Sequence, residues 1–123
     1  MRRVYIAGAL NAMSVDYIKN MHKMMTCANE VKKAGFAVYV PCIDILMGLK
    51  FGDYEYADYF NNSQPFLDVC EAVFVTPGWE NSDGTKRELS RAGFLGIPIF
   101  HDVPSLVAWE KEANNDRSME GPI

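Results

Sequence analysis

Apolar residues along the chain fall into two kinds of segment that alternate. Four short runs are apolar at nearly every position: RVYIAG, FAVYVP, EAVFVTP and IPIFHD. Between them apolar residues recur every three or four positions, the spacing of one helix face. Continuous apolar runs predict strands covered on both faces, and the intervening spacing predicts helices. Their alternation predicts a parallel sheet between helical layers. The expected fold class is α/β: a three-layer, doubly wound parallel sheet of four or five strands, flavodoxin- or Rossmann-like.

Local signals place the ends of these elements. The first strand runs from Arg3 to Ala7 and stops at Gly8. Ser14 is positioned to cap a helix whose apolar face is Ile18, Met21, Met25 and Ala28, joined by Met24 and Val31. Lys32 and Lys33 suit the negative end of its dipole, and Gly35 supplies a left-handed stop. The second strand ends at Pro41. GDYEYADYFNNSQPF predicts an amphipathic helix interrupted at Pro65, where a second short helix starts. GTKRELSRAGFLG is the next helix, and Asp102 and Pro104 open a last one over PSLVAWEKEA. A single domain over residues 1–113 is expected, with the tail 114–123 frayed or docked on a neighbour.

Composition narrows the function classes. With 123 residues, 49% hydrophobic and 23% charged, the chain suits one ordinary globular domain. A net charge of -4 without a basic cluster argues against a nucleic-acid polymer as partner. No run of about twenty apolar residues is present to span a membrane. The apolar stretch after the two arginines of MRRVYIAGAL is too short for a secretory leader, so a cytoplasmic location is expected. Cys27, Cys42 and Cys70 are odd in number, far apart and without a CxxC pair, which suits small buried hydrophobes better than a disulfide framework or zinc site. His22 and His101 are isolated, and a metal site is not expected.

The stretch GWENSDGTKRE, Gly78 to Glu88, stands between the third strand and a helix and admits two readings. In the first, Thr85 and Glu88 form a T-x-x-E capping box, Gly78 and Gly84 serve turns, and Trp79 covers the sheet edge. In the second, free amides and hydroxyls from Ser82 to Thr85 hold a phosphate or sugar hydroxyl. Glu88, one turn into the helix and shielded by Trp79, then points back at the ligand as a nucleophile. The two readings make opposing claims about one carboxylate. In open parallel sheets ligands bind beyond the carboxyl ends of the strands, and this loop lies there.

YIAG at the end of the first strand, followed downstream by PGWENSDGTKRE, resembles the nucleoside 2-deoxyribosyltransferase-like family, in particular its small branch with the pattern PGWExSxGxxxE. The likeness extends from Tyr5 to about His101. It implies a glycosyl-transfer site in which Glu88 attacks the anomeric carbon of a deoxyribonucleoside or its 5′-monophosphate and Tyr5 positions that carboxylate. The turn from Gly8 to Asn11 then wraps the substrate, Ser82, Gly84 and Thr85 hold the sugar or its phosphate, and Trp79 walls the base. No metal or organic cofactor is implied, since carboxylate nucleophiles need neither. A homo-oligomer, dimer or larger, is implied, with a neighbouring chain completing each pocket.

One departure from the family stands out. Active relatives carry an aspartate about eight residues before the acidic residue that opens the third strand, and it helps move a proton on the departing base. Counting back from Glu71 reaches Ser63, a poor general acid near neutral pH and a suitable helix N-cap. Asp44, Asp58 and Asp83 are the alternative acids for an enzyme, with Asp44 expected in the loop after the second strand. A nucleotide-binding protein without turnover is the alternative to catalysis, and a purely structural protein is a third class.

Overall fold

The computed structural model describes residues 1–10 and 14–120. Four strands, β1 (Arg3–Ala7), β2 (Ala37–Tyr39), β3 (Ala72–Val75) and β4 (Ile99–Phe100), form one sheet in the order β2-β1-β3-β4. All three pairings are parallel. Five α-helices connect and follow them: α1 (Ser14–Lys33), α2 (Ile43–Phe51), α3 (Tyr56–Asp68), α4 (Asp83–Leu95) and α5 (Val103–Glu120). The expected three-layer α/β sheet is the observed one, with the strand order of the flavodoxin-like type.

Side chains of each strand alternate between two cores, because successive residues of a strand point to opposite faces. Val4, Ile6, Ala72 and Phe74 pack with Met24, Ala28 and Val31 of α1 and Leu106 of α5. Tyr5, Ala7, Val73 and Val75 pack on the other face with Leu67 of α3 and Ala92 of α4. The sheet is therefore sandwiched, and this is why its strands read as continuous apolar runs.

Four helices differ from expectation. On α1, Met24, Ala28 and Val31 are buried and Tyr17 and Met21 pack beside them, while Ile18 and Met25 are 65% and 55% exposed. The buried stripe thus follows 17, 21, 24, 28 and 31, rotated away from Ile18 and Met25. The Ser14 side chain lies outside the described residues, whereas Gly35 does adopt the left-handed φ of 105°.

Pro65 does not divide the second region: α3 runs through it as one helix. Pro65 and Asn61, whose carbonyl loses its intrahelical donor, both lie on the exposed side, where water can satisfy that oxygen. Ser63 and Leu67 are buried. The start of α3 is set instead by a capping box between Glu55 and Asp58, with the Glu55 amide donating to Asp58 Oδ2 at 2.7 Å.

Ser63 is consequently a mid-helix residue and not an N-cap. Asp44 is likewise in the first turn of α2 and not in a loop. Asp102 does open α5, accepting from the Ser105 amide at 2.8 Å. That helix continues to Glu120 beyond the expected end, since no Gly or Pro follows Pro104 before residue 121.

Candidate active site

β1 lies between β2 and β3, and the chain leaves β1 and β3 toward opposite faces of the sheet, to α1 and α4 respectively. The crevice beyond their carboxyl ends is where such sheets place ligands. Below that edge, on the sheet face covered by α3 and α4, Tyr5 of β1, Ser63 of α3 and Glu88 of α4 meet. Tyr5 is 1% exposed on the face covered by α3 and α4. Its hydroxyl interacts with both the Glu88 carboxyl and the Ser63 hydroxyl.

The α4 start decides between the two readings of Glu88. Ser82 is the N-cap: its Oγ accepts from the Thr85 amide at 3.2 Å and from Thr85 Oγ1 at 2.9 Å. The amide that a Thr85–Glu88 capping box would need is thereby taken by Ser82, and Glu88 lies a turn further along. The expectation of that capping box is overturned. Glu88 Oε2 is closed to solvent and has no hydrogen-bond partner among the described residues. Burial raises the Glu88 carboxyl to about 7, against the hydrogen bond from Tyr5 that pulls it down. Burial also pushes the Tyr5 hydroxyl far above its ordinary value, the nearby Glu88 charge adds to this, and a hydrogen bond with Ser63 opposes it.

The other sequence-designated residues take defined places. Gly8 is buried, and a Cβ there would lie 1.9 Å from Thr76 Oγ1, so the β1 and β3 ends approach as closely as they do only because position 8 lacks a side chain. Asn11 lies outside the described residues. Gly78 turns the chain at φ 86° into a short 3₁₀ helix, Trp79–Asn81. Trp79 packs on the α3/α4-side core with its ring 6.1 Å from that of His101, beyond the ends of β3 and β4. Gly84 serves no turn but lies within the first turn of α4, and Thr85 is buried with its hydroxyl engaged by the cap.

Of the alternative acids, Asp83 is exposed at the start of α4, and Asp58 caps α3. Asp68 forms a two-pronged pair with Arg91, at 3.0 and 2.9 Å, that ties α3 to α4 and so holds Ser63 and Glu88 against Tyr5.

Sequence reasoning passed over Tyr39 and Asn62. The Tyr39 ring stacks on Tyr5 with centroids 5.5 Å apart, and its hydroxyl donates to Asp44 Oδ2 at 3.2 Å. Asn62 Nδ2 donates to the same oxygen at 3.0 Å. A signal for Tyr39 is present in the sequence: RVY of β1 and AVY of β2 pair in register, Tyr5 opposite Tyr39, so both rings emerge on one face. Asn62 precedes Ser63 in a helix whose rotation only the fold reveals.

The family model described as a domain of unknown function, DUF4406, matches residues 2–101, a span that contains the whole sheet and every residue of this cluster. No curated protein matches the sequence.

Proposed function

The chain belongs to the DUF4406 family, and we propose that it breaks or exchanges the N-glycosidic bond of a deoxyribonucleoside or its 5′-monophosphate, with Glu88 as nucleophile. In this reading it is a small relative of the nucleoside 2-deoxyribosyltransferase-like proteins. The observation that carries it is Glu88 itself: a carboxyl released from its own helix by the Ser82 cap, held by Tyr5, with one oxygen closed to solvent and unpartnered among the described residues. A carboxyl with one oxygen closed to solvent and unpartnered costs stability unless a ligand or reaction uses it.

The steps follow from that placement. A Glu88 carboxylate oxygen attacks C1′, the C1′–N bond breaks with its electron pair passing to the base nitrogen, and the base takes a proton from water as it leaves, balanced by the proton that the incoming water or second base later gives up to solvent. Water or a second base then attacks C1′ of the glycosyl ester and frees the carboxylate, so configuration is retained. The Tyr5 hydroxyl orients the nucleophile by hydrogen bond. Partial shielding from water favours attack by an otherwise well-solvated group.

Ser63 favours a second reading, a nucleotide binder without turnover. It is buried beside Tyr5 at the position where the relatives' acid stands, and a serine hydroxyl supplies no proton readily. Both readings take the protein to be a cytoplasmic homo-oligomer; the assembly is supported by Phe66, Val69 and Phe94, exposed by 47%, 52% and 81% on α3, the turn after it and α4. No helix among the described residues is long and apolar enough to cross a membrane.

The test is incubation of the protein with deoxynucleosides and their 5′-monophosphates, following free base. Release that disappears in Glu88→Ala supports catalysis. Binding without release supports the second reading, and absence of both contradicts the two together.

A further inference from the structure

A cavity of about 500 Å³ opens between α2 and α3, lined by Asp44, Met47, Tyr54, Asp58, Tyr59 and Asn62 together with Asp53. It adjoins the crevice through Tyr39, whose ring stacks on Tyr5 and whose hydroxyl donates to Asp44. We propose that this cavity is the base-selecting side of the site and that it takes a nucleobase presenting an exocyclic amino group, cytosine or adenine, in preference to the oxo counterparts uracil or hypoxanthine. The proposal rests on the glycosyl-transfer reading only for its connection to the reaction; the recognition itself follows from the lining.

Apart from the Tyr54 and Tyr59 hydroxyls, which can donate or accept, the polar lining offers chiefly acceptors. Asp44 Oδ2 already receives donors from Tyr39 and Asn62, which fixes the carboxylate and leaves Oδ1 as the acceptor turned elsewhere. The same bond commits the Asn62 amide nitrogen to Asp44, so the amide's other end is its carbonyl oxygen. Asp53 and Asp58 add carboxylates, and no Lys, Arg or His lines the cavity among the described residues. A phosphate is therefore repelled here, and the exocyclic oxygen of uracil or hypoxanthine faces acceptor against acceptor at the carboxylates, leaving those bases only their ring N–H groups to donate. An amino group on a flat ring answers both constraints, as a carboxylate does when it accepts from the amino group of cytosine.

The shape agrees with a flat ligand. Tyr54 and Tyr59 form an aromatic corner, with centroids 5.6 Å apart and planes inclined by 54°. Tyr59 reaches this position because position 48 is glycine: a Cβ there would lie 1.8 Å from the Tyr59 hydroxyl. Aromatic faces beside directional acceptors are the usual elements of a base pocket.

The experiment measures calorimetric binding of cytosine, adenine, uracil and hypoxanthine to the full chain, beside Asp44→Asn and Asn62→Ala, with base release from the matching deoxynucleosides followed in parallel. The amino bases should bind roughly tenfold or more tightly than their oxo counterparts. Asp44→Asn, which places a donor where only acceptors stood, should abolish or invert that preference. Asn62 is exposed, so Asn62→Ala retains the fold and should reduce it.

Equal affinity, preference for the oxo bases, no binding of any base, or a preference that both variants keep overturns the proposal. Release lost in Glu88→Ala but without amino preference sinks this inference alone. Amino-selective binding with no release from any substrate sinks the glycosyl-transfer reading alone.

Discussion

The Thr85 amide donates to Ser82 Oγ at 3.2 Å, and this one bond releases Glu88 from the helix backbone. A capped α4 has no use for a second acceptor at its start, so the carboxyl a turn later is free to meet Tyr5. The cap and the candidate nucleophile are thus separable by mutation. Ser82→Ala should lower stability by about 1 kcal/mol, the usual cost of an N-cap. Glu88→Gln should cost nothing comparable near neutral pH, and urea unfolding of the two variants checks the contrast.

Glu88 also makes stability depend on pH in a defined direction. Its carboxyl is raised from 4.5 to about 7, so the folded chain holds a proton that the unfolded chain releases earlier. The stabilisation is complete below pH 4.5 and is lost as pH rises to about 7. Relative to Glu88→Gln, the native protein should match at pH 4 and fall behind by up to about 3 kcal/mol at pH 8. Chemical unfolding of both across this range measures the difference.

Tyr5 opposes the burial of Glu88, so removing its hydroxyl should raise the carboxyl further. In Tyr5→Phe the Glu88 titration should move above about 7, read by carbon NMR of labelled glutamate or by the acid limb of the rate profile. The stacking of the ring on Tyr39 is retained in that variant, which isolates the hydroxyl.

Ser63 provides a test of the missing acid. An aspartate there would share a buried site with Glu88, and two neighbouring carboxyls cannot both ionise easily, so one of them holds a proton to give. Ser63→Asp should raise base release by about a hundredfold, the lower end of the range of about 10²–10⁴ typical of acid–base assistance. An unchanged rate would show that the departing base is protonated elsewhere.

Gly8 tests the close approach of β1 and β3. Gly8→Ala should destabilise by about 1–3 kcal/mol through overpacking against Thr76. Adding Thr76→Ala removes the hydroxyl that a Cβ would meet at 1.9 Å and should recover part of the loss. A double-mutant cycle from thermal unfolding measures the coupling.

What could be read from the sequence followed from covalent and periodic constraints. Strand positions and the layered sheet were legible because residues such as Val4, Ile6, Val73 and Val75 must be apolar when both faces are covered. The Asp102 cap was legible because it acts within one turn. Pro65 misled, since whether a proline ends a helix depends on which side meets water, and that is set by the burial of Ser63 and Leu67. The start of α4 misled for a related reason: Ser82 and Thr85 both suit a cap, and only the path after Gly78 selects Ser82. Glu88 and Tyr5 were legible as candidates through family likeness, whereas Asp44 and Asn62 meet across 18 positions by helix rotation that no local pattern encodes.

The most direct measurement is mass spectrometry of the protein quenched during turnover of a deoxynucleoside that releases base. Attack by Glu88 predicts a deoxyribosyl adduct on the peptide containing position 88, absent in Glu88→Gln, which should also release no base. Base release that persists in Glu88→Gln, or an adduct on another residue, would contradict Glu88 as the nucleophile.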